Sequence, residues 1–214
     1  MTHFGVTVRE GRHGLKLNRS NYVAGSRICS FPWQYGGEYD GEELARYIQD
    51  CVKNFNLNME YFARLGRRDF NQTLDHFLVR NIDFKAVPDL KVYDGAPGYY
   101  MMVLDEYKQV YLGTTKDIKA RVQKHWKNVQ PLDRLISGTV GTSIISIDSF
   151  RALDTTRLYA FATPEIYGEE NRYIEQIAAK YLCNRTIGGK LVDGKGKATG
   201  LGEAIGLRKT RNLR

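Results

Sequence analysis

No stretch of the sequence approaches the ~20 consecutive apolar residues that a bilayer-spanning helix requires, so no membrane partner is expected. Cysteine is scarce. Cys29, Cys51 and Cys183 are odd in number, widely spaced and in no CxxC pattern, which argues against a disulfide framework or a cysteine zinc site and fits a reducing compartment. The opening Met-Thr-His-Phe-Gly lacks the basic-then-apolar pattern of a signal segment, and a cytoplasmic location is the expectation. There is no internal repeat, and no low-complexity run precedes the last thirty residues. Apolar residues are plentiful, at 42% of the 214 positions, and 14 are tyrosines; a core of ordinary size can be buried, which excludes a disordered or collagen-like chain.

The net charge of +8 is unevenly spread. Residues 1–97 carry 13 basic and 12 acidic side chains and residues 98–184 carry 11 and 10, whereas residues 185–214 carry 8 and 2 among seven glycines. A basic, Gly-rich tail suits contact with a phosphate backbone, through Lys195, Lys197, Arg208, Lys209 and Arg211. Its alternative is a solvated terminus without a partner.

The pattern along the chain predicts an α+β fold. A short hairpin is expected within residues 4–24. Leu44, Ile48, Val52 and Phe55 recur at helical spacing behind Asp40 as cap, followed by helical stretches around Met59, Phe62 and Leu65 and around Phe70, Leu74, Phe77 and Leu78. Residues 84–97, with Pro88, Gly95 and Pro97, read as a connection and a domain boundary. Beyond it, GYYMMVL (98–104) and QVYLG (109–113) form a hairpin, a helix opens at Thr115 or Asp117 and runs to about Lys127, residues 143–148 and 157–163 are strands, and a helix runs from Pro164 to about Leu182.

A loop centred on Asp105-Glu106 would set Tyr100 opposite Tyr111 and Gly98 opposite Gly113, leaving room beside two phenols; alone, such a Tyr pair is sheet packing. Arg121 and His125, four apart on the next helix, lean toward the sheet at the edge of the stripe of Ile118, Val122 and Trp126, unless they are a boundary Arg and a packed His. Lys116, Lys119 and Lys124 add charge that suits a phosphate or a solvated face. On the last helix Glu170 shares the apolar stripe of Tyr173, Ile174, Ile177 and Tyr181, whereas Glu169 and Glu175 point elsewhere. An inward carboxylate needs a partner: it is a capping acid or a metal ligand.

Together, Gly98-Tyr99-Tyr100, Tyr111-Leu112-Gly113, Arg121, His125, Glu170 and Asn184 resemble the signature of the GIY-YIG nuclease superfamily. Tyr111 follows Tyr100 by 11 positions and Arg121 follows Tyr111 by ten, both typical of the family. Tyr99 and Leu112 stand where the family has isoleucine, at positions that alternate away from the site. The resemblance spans residues 98–184 and implies a small three-stranded, mainly antiparallel sheet flanked by helices. Residues 1–97 then form a mostly helical region for target recognition or dimerisation, and 185–214 a DNA-contacting tail.

What the resemblance implies chemically is metal-dependent hydrolysis of double-stranded DNA, in a restriction or phage setting. Glu170 would hold one Mg²⁺ (or Mn²⁺), and Arg121 would clamp the scissile phosphate. Tyr100 would serve as base with Tyr111 orienting the water, and His125 would take the proton from Tyr100 or bind phosphate. Asn184 and the lysines would contact the nucleic acid. A single cation cuts one strand per visit, so double-strand cleavage would take a homodimer or two nicks. A structure-selective repair or recombination nuclease, a non-cleaving binder on the same scaffold, and an interaction protein whose tail holds an acidic partner are the competing readings.

Overall fold

A computed structural model gives the architecture and describes residues 1–11, 14–24, 41–127, 144–166 and 168–184. Cys29, Asp40 and the five basic residues of the tail named above lie outside the described residues. The fold is α+β, with an antiparallel sheet of two strands, another of four, and five α-helices among the described residues. Strands β1 (Thr2–His3) and β2 (Val6–Thr7) form a small hairpin that turns at Phe4-Gly5, ahead of the one expected within residues 4–24. Helices α1 (Arg19–Ala24), α2 (Gly41–Arg64) and α3 (Arg67–Arg80) follow. The stretches expected around Leu44 and around Met59 are one continuous helix, α2. Next come β3 (Lys85–Ala86), the hairpin of β4 (Gly98–Leu104) and β5 (Gln109–Thr115), α4 (Ile118–Lys127), β6 (Arg157–Ala162) and α5 (Glu170–Glu175).

The large sheet has the order β3-β6-β4-β5. Three long strands carry it, but it is four-stranded rather than three-stranded. Lys85 and Ala86, from the segment read as a connection, pair with Ala160 and Tyr159 of β6. Central strand β4 is buried along its whole length and alternates between two cores. Tyr100, Met102 and Leu104 face Tyr22, Phe55 and Phe62 of the N-terminal region together with Val122 and Trp126 of α4. Tyr99, Met101 and Val103 face Phe70, Leu74 and Phe77 of α3 together with Tyr173 and Ile174 of α5. The sheet is therefore covered on both faces by apolar stripes that helical spacing made visible in the sequence.

Three further expectations need correction. The β4–β5 loop is four residues, Asp105–Lys108, so Tyr100 pairs with Gly113 and Tyr111 with Met102, two positions away from the expected register. Lys108 takes a left-handed φ of 52°, with Nζ donating to the Phe62 carbonyl at 2.5 Å. Such a loop without Gly or Asn at its left-handed position leaves no turn signature to read. Residues 144–149 are not a strand; the Ser146 hydroxyl accepts the Asp148 N–H and winds Ile147–Ser149 into a 3₁₀ turn. The helix expected from Pro164 to Leu182 is reduced to Glu170–Glu175. At its far end the chain straightens at Leu182, which bridges Val110 in parallel, and the Cys183 N–H donates to the Val110 carbonyl at 2.9 Å.

Candidate active site

The hairpin places both phenols on one sheet face. As diagonal neighbours, Tyr100 and Tyr111 have ring centroids 6.0 Å apart. Tyr100 is fully buried, while Tyr111 remains partly exposed. Gly113 makes this possible: a Cβ there would lie 2.6 Å from the Tyr100 hydroxyl and 2.9 Å from the Tyr111 ring. The space expected beside the phenols is thus occupied by the Tyr100 ring itself. Gly98 is required for its own reason, since it has a φ of 151° and a Cβ would run into the Phe161 carbonyl of β6.

Helix α4 begins where the Asp117 carboxylate accepts the Ala120 N–H at 2.9 Å, a capping bond that fixes the rotation of the helix. Ile118, Val122 and Trp126 face the core, and His125 is drawn in beside them, 1% exposed. Its Nε2 lies 2.8 Å from the Tyr100 hydroxyl and its Nδ1 lies 2.6 Å from Oδ1 of Asp148. The imidazole also meets Tyr111 edge-on, with centroids 5.0 Å apart. Burial lowers the His125 pKa below its ordinary value against the opposing pull of Asp148, so the surroundings favour the neutral ring.

Arg121 is coupled to both phenols. Burial works against its charge, but Tyr100, Tyr111 and Asp148 outweigh that and leave its pKa above the ordinary value. For the phenols burial dominates, pushing Tyr100 well up and Tyr111 to about 12, with Arg121 the main opposing influence. Neither phenol ionises at neutral pH without further help. A second cation, or a base that takes the proton, has to supply it.

The outer edge of β5 holds the remaining residues. Alternate residues of an edge strand turn their backbone groups outward, and here successive outward positions each have a partner. Val110 is met by residues 182 and 183. Leu112 donates to the Asn184 side-chain oxygen at 3.0 Å and accepts from its amide at 2.6 Å. Beyond them, Glu170 is close enough to the Thr114 backbone for that N–H to favour the carboxylate form. Asn184 thus acts as a clamp on β5. Burial raises the Glu170 pKa above the ordinary carboxylate value, opposed by Thr114 and Arg121. Glu170 in turn raises Tyr111, so the carboxylate, that phenol and the guanidinium share one electrostatic environment at the β5 edge. Glu169 turns outward to pair with Arg172 at 2.5 Å, and Glu175 is exposed, as the helical spacing predicts.

The basic residues are less convergent. Lys116 and Lys124 are exposed, whereas Lys119 pairs with Asp94 at 2.5 Å. A shallow, open depression lined by Ala120, Gln123, Lys124 and Lys127 lies on the outward stripe of α4, not on the side that carries Arg121 and His125. Among the described residues no three His, Cys, Asp or Glu side chains converge as a metal-binding group. Glu170 as a lone carboxylate fits a hard cation that completes its shell with water and phosphate oxygens, not a caged transition metal.

Asp148 went unnoticed in the sequence reading. It ends an apolar run 23 residues beyond His125, and no local spacing links the two. The Tyr99 hydroxyl is a second unforeseen contact: on the opposite sheet face it accepts the Glu169 N–H at 3.2 Å, immediately before Glu170. Comparison of the chain with protein-family models, with curated proteins and with solved structures returns no match.

Proposed function

We propose that this protein is a metal-dependent endonuclease that hydrolyses DNA phosphodiester bonds. The observation that carries the reading is the coupling of Tyr100, Tyr111, Arg121, His125 and Glu170, drawn from two strands and two helices, around one edge of the sheet. Ionisable side chains from separate elements that are partly buried and electrostatically coupled in this way are an arrangement that supports a functional site.

Each side chain has a role set by its surroundings. Arg121 presents a planar fork suited to two non-bridging phosphate oxygens and offsets the charge that builds on them. Glu170 would hold a divalent cation, which when bound supplies Lewis-acid stabilisation of the leaving oxygen. The greater exposure of Tyr111 favours exchanging the roles that the resemblance implies for the two phenols. Tyr111, partly open to solvent, meets the attacking water, and the fully buried Tyr100 stands behind it against His125. The proton given up by water passes to the Tyr111 oxygen, the Tyr111 proton to Tyr100, and the Tyr100 proton to His125 Nε2, so each phenol ends neutral and the imidazole ends charged.

Incubation of supercoiled plasmid with the protein in Mg²⁺ and in EDTA tests the reading. Nicking in Mg²⁺ that disappears in EDTA is expected. Arg121→Ala and Glu170→Ala should each abolish nicking and keep a cooperative thermal melt. Salt-sensitive retention of DNA without cuts would overturn the assignment in favour of a binding protein.

A further inference from the structure

Asp148 stands apart from the residues considered so far because nothing in a phosphate-binding site calls for a second carboxylate against the histidine. Its position is built rather than incidental. The Ser146 hydroxyl accepts the Asp148 N–H, the Ile147–Ser149 turn is packed against α4, and the Arg151 guanidinium donates to the Asp148 carbonyl at 3.4 Å. The carboxylate is 19% exposed, whereas the imidazole it meets is 1% exposed.

We propose that Asp148 is a positioning residue that locks His125 in the tautomer able to take the proton of Tyr100. This rests on the nuclease reading for its function and on geometry alone for its structural content. A carboxylate only accepts hydrogen bonds, so at 2.6 Å it requires the proton on Nδ1. Nε2 then keeps its lone pair, and the Tyr100 hydroxyl at 2.8 Å donates to it. When the proton moves, the O–H bond of Tyr100 breaks, an N–H bond forms at Nε2, and the imidazolium faces the Asp148 carboxylate across the existing Nδ1–H bond. Without Asp148 the buried ring is free to carry its proton on Nε2, where it donates to the Tyr100 oxygen and closes the route.

Among the described residues, the other charged or titratable groups facing the ring are Arg121 on its own helix, Tyr100 from β4 and Tyr111 from β5, with Lys124 acting from the outward side of α4. Both cations disfavour the imidazolium, and burial disfavours it more strongly. Asp148 is the acid opposing them, which is the arrangement expected of a residue that makes proton uptake possible in a dry site.

The test uses the full chain with ¹⁵N-labelled histidine. In the wild type the signal absent from a His125→Gln sample should show the Nδ1–H tautomer with a strongly deshielded Nδ1 proton. In Asp148→Ala that proton signal should vanish and the Nε2–H tautomer should dominate, while Asp148→Glu should restore part of the wild-type pattern. Plasmid nicking should fall in turnover by about 10²- to 10⁴-fold in Asp148→Ala with little change in KM, and recover partly in Asp148→Glu. Asp148→Asn, close in shape, provides the same comparison if the alanine variant does not fold. An Nδ1–H tautomer that persists in the folded alanine or asparagine variant would overturn the proposal, as would wild-type turnover in either. A wild type that shows the locked tautomer yet cuts no nucleic acid would sink the nuclease reading and leave the role of Asp148 in holding the ring intact.

Discussion

Tyr99 and Tyr100 are consecutive residues of one strand, both buried, yet they belong to different chemistry. Tyr99 lies in an aromatic cluster, edge-on to Tyr173 at 5.1 Å and stacked on Phe161 at 6.2 Å, and its hydroxyl accepts one backbone N–H at the start of α5. Tyr100 lies on the other face, where its hydroxyl meets an imidazole backed by a carboxylate and where a guanidinium is close. Residue type and burial are the same on the two faces. What differs is what the second element brings: α3 and α5 deliver aromatic and aliphatic side chains, whereas α4 and the Ile147–Ser149 turn deliver ionisable ones. The lesson is that the polar surroundings of a tyrosine here come from the helix packed against it rather than from the strand that carries it.

Removing one hydroxyl from each face breaks the comparison most sharply. Tyr100→Phe severs the link to His125 and should reduce Mg²⁺-dependent nicking by about 100-fold or more, whereas Tyr99→Phe should leave nicking within a few-fold and cost about 1 kcal/mol of stability through the loss of the Glu169 contact. Equal losses of activity in the two variants would mean that the faces do not differ as described. Gly113→Ala comes next. The new methyl group meets the Tyr100 hydroxyl and the Tyr111 ring but nothing of the Tyr99 face, so unfolding titrations should show about 1–3 kcal/mol of destabilisation, accompanied by loss of nicking. A variant as stable and active as wild type would show that the phenols do not need the glycine.

The smallest effect concerns acid. Because the folded-state pKa of His125 is depressed by burial, it contributes stability above about pH 6.5, and this is lost as pH falls through the lower folded value. The raised carboxyls of Glu170 and Asp154 act in the opposite sense at lower pH, since their protonated forms suit the folded state. Thermal melts should therefore show a decline in Tm on acidification below about pH 6.5 that is shallower in His125→Gln, and parallel curves for the two proteins would contradict the burial-driven shift.

Much of this arrangement was readable along the chain because it depends on short-range periodicity. The β-rich run GYYMMVL bounds β4 correctly, Asp117, one of the two starts expected, caps α4, and the four-residue spacing of Arg121 and His125 places both on the side of α4 toward the sheet. The helical spacing around Glu170 distinguishes that acid from Glu169 and Glu175 even though α5 is much shorter than expected. The misreadings share a cause. The hairpin register depends on Lys108 adopting a left-handed conformation that its residue type does not advertise, and it is held there by a contact to Phe62, 46 residues away. The apolar run before Asp148 resembles a strand because burial under α4 selects the same residues as burial in a sheet.

Local pattern therefore determined which residues line each face of each strand and helix, since side-chain direction follows from backbone period alone. Only the tertiary structure decided which groups meet. Asp148 reaches His125 and Asn184 grips Leu112 because the buried side of α4 and the β5 edge each needed polar partners, and the chain supplied them from distant positions. A buried donor or acceptor must be satisfied by whatever the fold brings within about 3 Å, and sequence separation does not enter that requirement.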